Sequence, residues 1–458
     1  MFQLRSYQKE IVDKARRDFT NGCKSVMCVC ATGGGKSYIF MDMCVRAAQK
    51  GRVLILAHRI ELIEQHEKNF LENGIPLDNI IIESVQSVYL HPENYRDIYM
   101  VVADECHLFK ARTFEAVLRN FRDNGSFIVG FTATPVRLSG ESLHSIFDTM
   151  VVGPGTKELI EMGCLAPYDY LCPATADISQ LKKRAGDYAV EDIEQIMDGT
   201  IYGKAVEEYK RHGAGRQGVA FCCSIEHSKA LAQQFRDAGI AAEHLDGEVP
   251  KKQRHEIMDK FRAGKIRVLC NVNLISEGLS VDGISVVMQL RPTLSLALYL
   301  QQVGRGLRYE PGKVCTILDF VGNVHKHGLP DEEREWSLDA PPKRRKEINE
   351  DGSFTLRVCE FCFKCYEAPA PRCPFCQTEY TPKPRELQMM EQVRLEKLNK
   401  ERFEAERARK AQVAVDIRRA RSYEDFLAIA VRNGYKNPKY WARMRANLRG
   451  YKNPPHKR

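Results

Sequence analysis

Two series of short apolar runs, separated by helical patterns, extend from Val26 to Phe320. The first series is Val26–Cys30, Val53–Ala57, Ile80–Ile82, Met100–Ala103 and Phe127–Phe131, and the second is Val219–Cys223, Ile266–Asn271, Ile284–Leu290 and Val314–Phe320. Runs that stay apolar, instead of alternating with polar residues, are typical of strands buried on both faces of a parallel sheet. The pattern therefore predicts an α/β protein with two such sheets in tandem.

The sequence beyond Phe320 loses this pattern. Pro330 to Arg357 is rich in Pro, Glu and Lys, which predicts a linker. Arg385 to Arg421 contains no Gly or Pro and is dense in Glu, Lys, Arg and Ala, which predicts a long exposed helix. The end of the chain is therefore expected to be a helical tail.

A pentapeptide, Gly-Tyr-Lys-Asn-Pro, occurs twice in this tail, at Gly434–Pro438 and Gly450–Pro454. Between the copies, an Asn N-cap, a Pro at the first helical position and a Gly stop predict one short helix. Trp441, Met444 and Leu448 would form its apolar face. Two interpretations of Trp441 remain open: it packs a small helical core, or it belongs to an aromatic and basic patch that binds nucleic-acid strands.

Positive charge is concentrated in the tail. The 458 residues carry a net charge of +9, but Thr381 to Arg458 contains 21 Lys and Arg against 9 Asp and Glu, a net +12. This asymmetry favours a polyanionic partner, and the alternative is a solvated charged helix. The chain begins without an apolar signal segment and no run approaches the ~18 apolar residues of a membrane span. A cytoplasmic protein without a membrane partner is therefore expected.

The 16 cysteines lie either in apolar runs or in one cluster. The scattered ones fit reduced, buried thiols. The cluster has the spacing Cys359-x₂-Cys362 and Cys373-x₂-Cys376, which predicts a tetrahedral Zn²⁺ held by four sulfurs in a closed structural site. Cys365 is a fifth thiol at a further x₂ spacing, so the sequence leaves open whether it is free or exchanges with a neighbouring ligand.

A glycine-rich segment, Ala31-Thr32-Gly33-Gly34-Gly35-Lys36-Ser37, lies between an apolar run and a helical pattern. A strand, glycine loop and helix in this order bind phosphates through backbone N–H groups and the helix N-terminus. Lys36 is predicted to reach the β- and γ-phosphates of ATP, and the Ser37 hydroxyl to ligate Mg²⁺.

An acidic pair, Asp104-Glu105, ends another apolar run, Tyr99 to Ala103. Ligands bind at the carboxyl ends of the strands in an α/β sheet, so Asp104 is predicted to be a second Mg²⁺ partner. Glu105 is placed to polarise an attacking water.

These two segments resemble motifs of the superfamily-two helicases and translocases, although Cys30 occupies the first glycine position of the loop. Asp104-Glu105-Cys106-His107 resembles their DEAD/DEAH-box motif. The other elements follow in the family's order: Arg5, Tyr7 and Gln8; Ala57-His58-Arg59; Ser84-Val85-Gln86-Ser87; Thr132-Ala133-Thr134-Pro135; Asn271 to Ser280; and Gln301 to Arg308. The closest likeness is to the bacterial and phage proteins allied to the DNA repair helicase RadD, which also carry cysteine clusters after the motor.

The resemblance implies two RecA-like lobes with ATP in the cleft between them. Arg305 and Arg308 would be arginine fingers on a shared helix face, with Gln301 near the γ-phosphate and water. The implied nucleotide contacts are Arg5, Gln8, Thr32, Gly33, Gly34, Gly35, Lys36, Ser37 and Gly278, where Ser280 replaces the usual aspartate of the Gly278 motif. The implied nucleic-acid contacts are His58, Arg59, Ser84, Gln86, Ser224 and Asn273, to which the basic tail adds Trp441. The implied coupling residues are His107, Thr132 and Thr134.

The expected organisation is lobe one at residues 1–155, a hinge and lobe two at 156–329, a linker at 330–357, a zinc ribbon at 358–380 and a basic helical tail at 381–458. The expected function is an ATP-dependent DNA helicase or translocase that uses Mg²⁺ and acts in repair or on branched DNA. Two alternatives stay open: an RNA helicase, because backbone contacts do not decide the sugar, and an ATP-switched clamp that does not unwind.

Overall fold

The computed structural model describes the chain except residues 1, 107–110, 136–141, 174–180, 182, 185–186, 189–192, 194–198, 273–282, 340–348, 350–354, 383–389, 392–403, 405–407, 409–410, 414 and 451–458. It consists of two compact units. The first comprises Met1–Glu347 and Leu356–Tyr380, and the second comprises Ile348–Thr355 and Thr381–Arg458.

Lobe one of the first unit is a parallel sheet flanked by helices. Its strands are β1 (Ser25–Val29), β2 (Arg52–Ala57), β3 (Ile80–Ser84), β4 (Ile98–Ala103), β5 (Phe127–Thr132) and β6 (Thr149–Val152), in the order β3-β2-β4-β5-β1-β6. Its helices are α1 (Ser6–Thr20), α2 (Lys36–Ala48), α3 (Ile60–Glu72), α4 (Val85–Leu90) and α5 (Ala111–Asp123), with a 3₁₀ turn at Pro92–Asn94. Along β1, Val26 and Cys28 belong to one core cluster and Met27 and Val29 to another, so this strand is buried on both faces as predicted.

Lobe two repeats this architecture after α6 (Thr156–Glu161). Its parallel strands are β7 (Tyr168–Leu171), β10 (Gly218–Phe221), β11 (Ala242–Leu245), β12 (Val268–Asn271), β13 (Val286–Gln289) and β14 (Cys315–Asp319), in the order β11-β12-β10-β13-β14-β7. A separate two-stranded pair, β8 (Lys183–Arg184) and β9 (Asp187–Tyr188), lies between β7 and β10 in the chain. The helices are α7 (Gly199–His212), α8 (Ile225–Asp237), α9 (Lys251–Arg262), α10 (Leu296–Gly304) and α11 (Asn323–His327). Two RecA-like lobes are thus confirmed.

The range assigned to a linker is not a free connection over its described parts. Leu338 is buried in the core of lobe one, and its carbonyl accepts hydrogen bonds from the Leu143 N–H (2.8 Å) and the Ser142 hydroxyl (3.0 Å). Leu356–Val358 forms strand β15, which pairs antiparallel with β16 (Cys365–Glu367) in the cysteine-rich segment. The chain therefore returns to lobe one before it builds that segment.

The second unit contains α12 (Tyr423–Arg432) and α13 (Pro438–Leu448), packed around Phe426, Ala442 and Ala446. Helix α13 lies where the repeat predicted it. Its buried face differs from the predicted one, because Met444 and Leu448 are exposed and the small alanines allow the close approach of α12. Most of the long helix predicted at Arg385 to Arg421 lies outside the described residues; residues 411–413 and 415–419 are helical.

Candidate functional site

The glycine loop connects β1 to α2 along a path that requires glycine. Gly33 and Gly35 have φ angles of 85° and 76°, in the left-handed region that other residues rarely adopt. A Cβ at Gly35 would lie 2.5 Å from Gln8 Nε2, and one at Gly33 would lie 2.8 Å from Leu165 Cδ2. Helix α2 begins at Lys36, so its N-terminus directly follows the loop, as a phosphate site requires.

The start of α1 braces this loop. The Tyr7 hydroxyl donates to the Gly34 carbonyl (2.8 Å), and Gln8 Nε2 donates to the same carbonyl (3.3 Å). Gln8 is itself oriented by the Arg5 N–H, which donates to its Oε1 (2.9 Å). The element predicted to contact the nucleotide therefore also holds the loop through buried hydrogen bonds.

Asp104 and Glu105 lie at the end of β4, opposite the loop. Glu105 has a φ of 46°, unusual for a residue with a side chain, and it forms an ion pair with Lys36. Burial lowers the pKa of Lys36, but the charges of Glu105 and Asp104 raise it by more, so its pKa lies above the usual value. Lys36 is therefore a cation at neutral pH.

Asp104 is buried and ionised. Burial raises its pKa, but its contact with His66 and the charge of Lys36 lower the pKa by more, to about 2. His66 Nε2 lies 3.1 Å from Asp104 Oδ2. The sequence motifs do not include His66. A histidine on the apolar side of an amphipathic helix carries no motif that distinguishes it from ordinary core packing.

Arg305 of lobe two interacts electrostatically with Glu105 and Asp104. Burial lowers the pKa of Arg305 to about 10, with Arg308 contributing, whereas the carboxylates of Glu105 and Asp104 raise it. The charges of Asp104 and Glu105 in lobe one therefore act on the Arg305 guanidinium of lobe two. Gln301, one turn earlier on α10, is buried.

The predicted shared helix face for the two arginines is wrong. Helix α10 ends at Gly304, and Arg308 forms an antiparallel bridge with Leu165. Gly304 explains the close approach of the lobes at this point, because a Cβ there would overlap the side chain of Thr32 in the glycine loop.

The Thr132–Thr134 segment joins both nucleotide motifs. The Thr132 hydroxyl accepts from the Thr134 N–H and donates to its carbonyl, both at 3.0 Å. The Thr132 carbonyl accepts from the Cys30 N–H, and the Phe131 carbonyl accepts from the Cys106 N–H, both at 3.0 Å. Backbone hydrogen bonds therefore connect this segment to both motifs, and its coupling role stays a prediction. His107 lies outside the described residues.

Five of the predicted nucleic-acid residues, namely His58, Arg59, Ser84, Gln86 and Ser224, lie at or after the carboxyl ends of parallel strands in the two lobes. His58 and Arg59 connect β2 to α3. Ser84 caps α4 by accepting from the Ser87 N–H (3.1 Å), and Ser224 caps α8 by accepting from the His227 N–H (3.3 Å). Gln86 is exposed on α4. Asn273 and Gly278 lie outside the described residues.

A cavity of about 580 Å³ lies next to the glycine loop. Its lining includes Thr32, Gly304, Lys157 and Trp336. Buried polar atoms that lack a hydrogen-bond partner among the described residues include Thr32 Oγ1, Thr134 Oγ1 and Gln302 Oε1, near the loop and its contact with lobe two. Orphaned buried polar atoms are rare in folded proteins, so these atoms are available to a polar ligand.

The four predicted zinc ligands converge. The Sγ atoms of Cys359, Cys362, Cys373 and Cys376 all lie within 4.8 Å of one another, a spacing that could hold one metal ion. Hydrogen bonds from Thr378 lower the pKa of Cys376, whereas burial raises the pKa of Cys362 and of Cys373. Cys365 is instead buried in the hydrophobic core that contains Leu356, so it is not part of this group.

This cysteine ribbon packs on lobe two. Lys364 Nζ lies 2.6 Å from Asp169 Oδ1, and the Cys172 N–H donates to the Phe363 carbonyl (2.9 Å). The expectation that the ribbon is separated from the motor by a linker is therefore corrected, because side-chain and backbone contacts join it to the end of β7.

Among the residues that the structure describes, no helix combines the length and apolar character that membrane crossing requires.

Comparisons with known proteins agree with this architecture. Residues 1–137 match the family described as "Type III restriction enzyme, res subunit", and residues 202–310 match the "Helicase conserved C-terminal domain". A 51.5 kDa protein of a Lactococcus phage (isolate 7-9) is 35% identical over 371 residues, which cover 81% of each chain.

More distant comparisons also point to ATP-dependent helicases and to the same fold. A Saccharomyces cerevisiae protein named as a candidate ATP-dependent helicase, IRC3, is 27% identical over 70% of this chain, which spans only 51% of that protein. The structure of the ATP-dependent type ISP restriction-modification enzyme LlaBIII bound to DNA is similar in fold, with a TM-score of 0.53 and 19% identity. The alignment covers 69% of this chain and 27% of that enzyme.

Proposed function

Since this chain belongs to the superfamily-two helicases and is an ATP-hydrolysing enzyme of that class, we propose that it couples ATP hydrolysis to movement on DNA or to remodelling of DNA. One observation carries the proposal: the end of α10, just before Arg305, lies against the glycine loop, where a Cβ on Gly304 would overlap the side chain of Thr32, and Lys36 of that loop pairs with Glu105. Hydrolysis that needs both lobes can drive their closure and so their movement along a strand.

The residues at the cleft fit ATP and Mg²⁺, which helicases of this kind use. Mg²⁺ would neutralise charge on the phosphates, with Ser37 and Asp104 as its protein ligands. Lys36 already holds an anion, Glu105. Phosphate oxygens would compete for Lys36 and release Glu105 to orient water. Arg305 and Arg308 would then stabilise the charge that develops on the phosphoryl group.

The proposed substrate is DNA, in repair or in the processing of branched structures, as expected of proteins allied to RadD. Support comes from the related restriction enzyme, whose structure was determined bound to DNA, and from the excess positive charge of the tail. Five residues are proposed to contact the DNA backbone, because they lie at the carboxyl ends of the parallel β-strands: His58, Arg59, Ser84, Gln86 and Ser224.

The test is ATPase activity of the full chain with single-stranded DNA, forked DNA and RNA of equal length at matched salt, because salt alone can reverse such rankings. DNA should stimulate hydrolysis more than RNA. Strand separation should be followed on the same forked DNA. Stronger stimulation by RNA would overturn the DNA assignment, and hydrolysis without unwinding or translocation would favour a clamp.

We also propose that the cysteine ribbon binds one structural Zn²⁺. Replacing Cys373 and Cys376 by Ser should remove the metal, because two thiolates cannot hold a closed tetrahedral site. Metal analysis of the purified protein measures this directly. Cys365→Ser is the matched control and should retain zinc, since that thiol lies in the core with Leu356. Stoichiometric zinc in the Cys373/Cys376 double variant would refute the site.

Loss of this zinc should also lower the melting temperature of lobe two, because the ribbon contacts Asp169 and Cys172 there. Metal binding supplies folding free energy to small ribbons that cannot bury a core alone.

The tail is proposed to bind nucleic acid through its charge. Five Lys and Arg and no Asp or Glu occur from Lys436 to Arg449. Trp441 packs against Tyr435, with ring centroids 4.8 Å apart, and Arg445 lies over the indole. Tyr440 on the same helix is 68% exposed. Tyr440 is therefore better placed than Trp441 to stack on a base.

Truncation before Thr381 is expected to weaken DNA affinity and flatten its salt dependence. For every phosphate that the tail neutralises, its removal should lower the log–log salt slope by roughly 0.7 to 0.9. Equilibrium binding over a salt series measures both quantities. ATP hydrolysis at saturating DNA serves as the control and should change little, because the proposed motor residues precede Thr381. An unchanged affinity and slope would show that the tail is a spacer or a protein-docking arm.

A further inference from the structure

Helix α3 carries a buried contact to the acidic pair. His66, on its inner face, is 2% exposed, and its Nε2 lies 3.1 Å from Asp104 Oδ2. The imidazole packs edge-on against Phe40, with ring centroids 5.0 Å apart and an interplanar angle of 84°. Because Phe40 belongs to α2, directly after the glycine loop, the orientation of His66 is set by the same packing that places Lys36.

Asp104 has a different partner on each oxygen. Oδ1 accepts from the Glu105 N–H (2.9 Å), a local contact within the turn, and Oδ2 meets His66. The backbone contact holds only Oδ1, so the contact of Oδ2 with His66 is the second point that fixes the plane of the carboxylate. A metal ligand has to be held in one orientation, and partners behind the ligand provide this in metal sites generally.

The outer face of α3 meets lobe two. Glu61 pairs with Arg254 at 3.1 Å, and Glu64 pairs with Lys251, both from α9. These ion pairs join the two lobes, so they depend on the distance between the lobes. One helix therefore contacts lobe two on one side and the carboxylate of Asp104 on the other. Its first residue follows His58 and Arg59, the proposed strand contacts.

We propose that His66 is a positioning residue that orients Asp104 towards Mg²⁺, and that α3 transmits closure of the lobes to it. The inference rests on the proposed role of Asp104 as a metal ligand. A purely structural His66 would fill space beside Phe40 and would leave metal affinity unchanged when replaced by a side chain of similar size.

The first experiment compares His66→Leu with His66→Gln in the full chain. Leu keeps the apolar volume without a donor, whereas the Gln amide nitrogen reaches nearly the position of Nε2. Mn²⁺ affinity is measured by electron paramagnetic resonance with a non-hydrolysable ATP analogue. His66→Leu should weaken Mn²⁺ binding by about 10- to 100-fold, the usual cost of losing such a partner, and His66→Gln should restore most of it. Thermal melting of both variants verifies that they fold.

The variant Asp104→Asn distinguishes the positioning role of His66 from the assignment of Asp104 as a metal ligand. If Asp104→Asn loses Mn²⁺ affinity and a folded His66→Leu keeps it, the positioning role is overturned and the proposed site stands. If Asp104→Asn also keeps wild-type affinity, the assignment of Asp104 as a metal ligand fails, and the proposed catalytic site has to be revised.

A double-mutant cycle tests transmission through α3. Arg254→Glu should weaken Mn²⁺ binding, and the swap Glu61→Arg with Arg254→Glu should recover it. In the His66→Leu background, Arg254→Glu should have little further effect, because the two changes act along one path. If the losses of Mn²⁺ affinity in His66→Leu and Arg254→Glu were fully additive, the proposal that α3 transmits lobe closure to Asp104 would be overturned. Unchanged Mn²⁺ affinity in Arg254→Glu alone would also overturn it.

Discussion

Lys36→Ala should abolish ATP binding and turnover together, whereas Glu105→Gln should retain ATP binding and lose turnover. Lys36 is a cation with a side chain only 12% exposed, at the first residue of α2, where the loop and helix present their N–H groups. Its removal takes away the charge that faces the phosphates. Glu105 contributes little to binding by comparison, since its proposed part is to orient the attacking water, an effect worth about 10²- to 10⁴-fold in rate.

Equilibrium binding of a fluorescent ATP analogue and steady-state hydrolysis with saturating DNA separate these effects. Lys14→Ala is the matched control, because this lysine forms an exposed i,i+4 pair with Glu10 on α1 and its loss should leave both measurements unchanged. Hydrolysis at the wild-type rate by Glu105→Gln would show that another group orients the water. If Glu105→Gln lost ATP affinity by the same factor as turnover, Glu105 would instead contribute to ATP binding in the ground state.

Replacing Arg305 or Arg308 with Ala should cut turnover by about 10³-fold or more, with a much smaller loss of ATP affinity. Arginine fingers act on charge that develops in the transition state, so their removal affects rate more than binding. An arginine finger has to keep its positive charge when it is shielded from water. Burial and the charge of Arg308 lower the pKa of Arg305 only to about 10, so its guanidinium stays protonated at neutral pH.

Arg305→Lys distinguishes charge from geometry. It keeps the positive charge but loses the planar fork, so partial recovery of turnover would indicate a mainly electrostatic contribution. Arg46→Ala, which removes an exposed partner of Asp42, is the surface control. A loss of affinity proportional to the loss of turnover would show that these arginines bind ATP in the ground state.

Several features could be predicted because they depend on short segments of sequence. Continuous apolar runs identified the buried strands, and the residues after those runs had to lie at one edge of each sheet. This placed Lys36 near Asp104 and Glu105 without any knowledge of side-chain contacts. The four cysteines were equally predictable, because a pair separated by two residues can direct both sulfurs to one point.

Other features were missed because they depend on residues distant in sequence. The helix expected to carry both Arg305 and Arg308 ends at Gly304, where the chain turns to pair with Leu165. The predicted linker contains Leu338, which lies in the core of lobe one. On α13, small alanines face α12, while Met444 and Leu448 remain exposed.

Apolar periodicity and local spacing encode the two RecA-like sheets, the glycine loop, the acidic pair and the cysteine cluster, so these features can be recognised in the amino-acid sequence. The contact of His66 with Asp104, the ion pairs between α3 and α9, and the packing of the ribbon on lobe two become visible only in the folded chain. A strand or a tight loop is specified by neighbours in the chain. A contact between lobes is specified by which surfaces pack together, and no short segment of sequence records that choice.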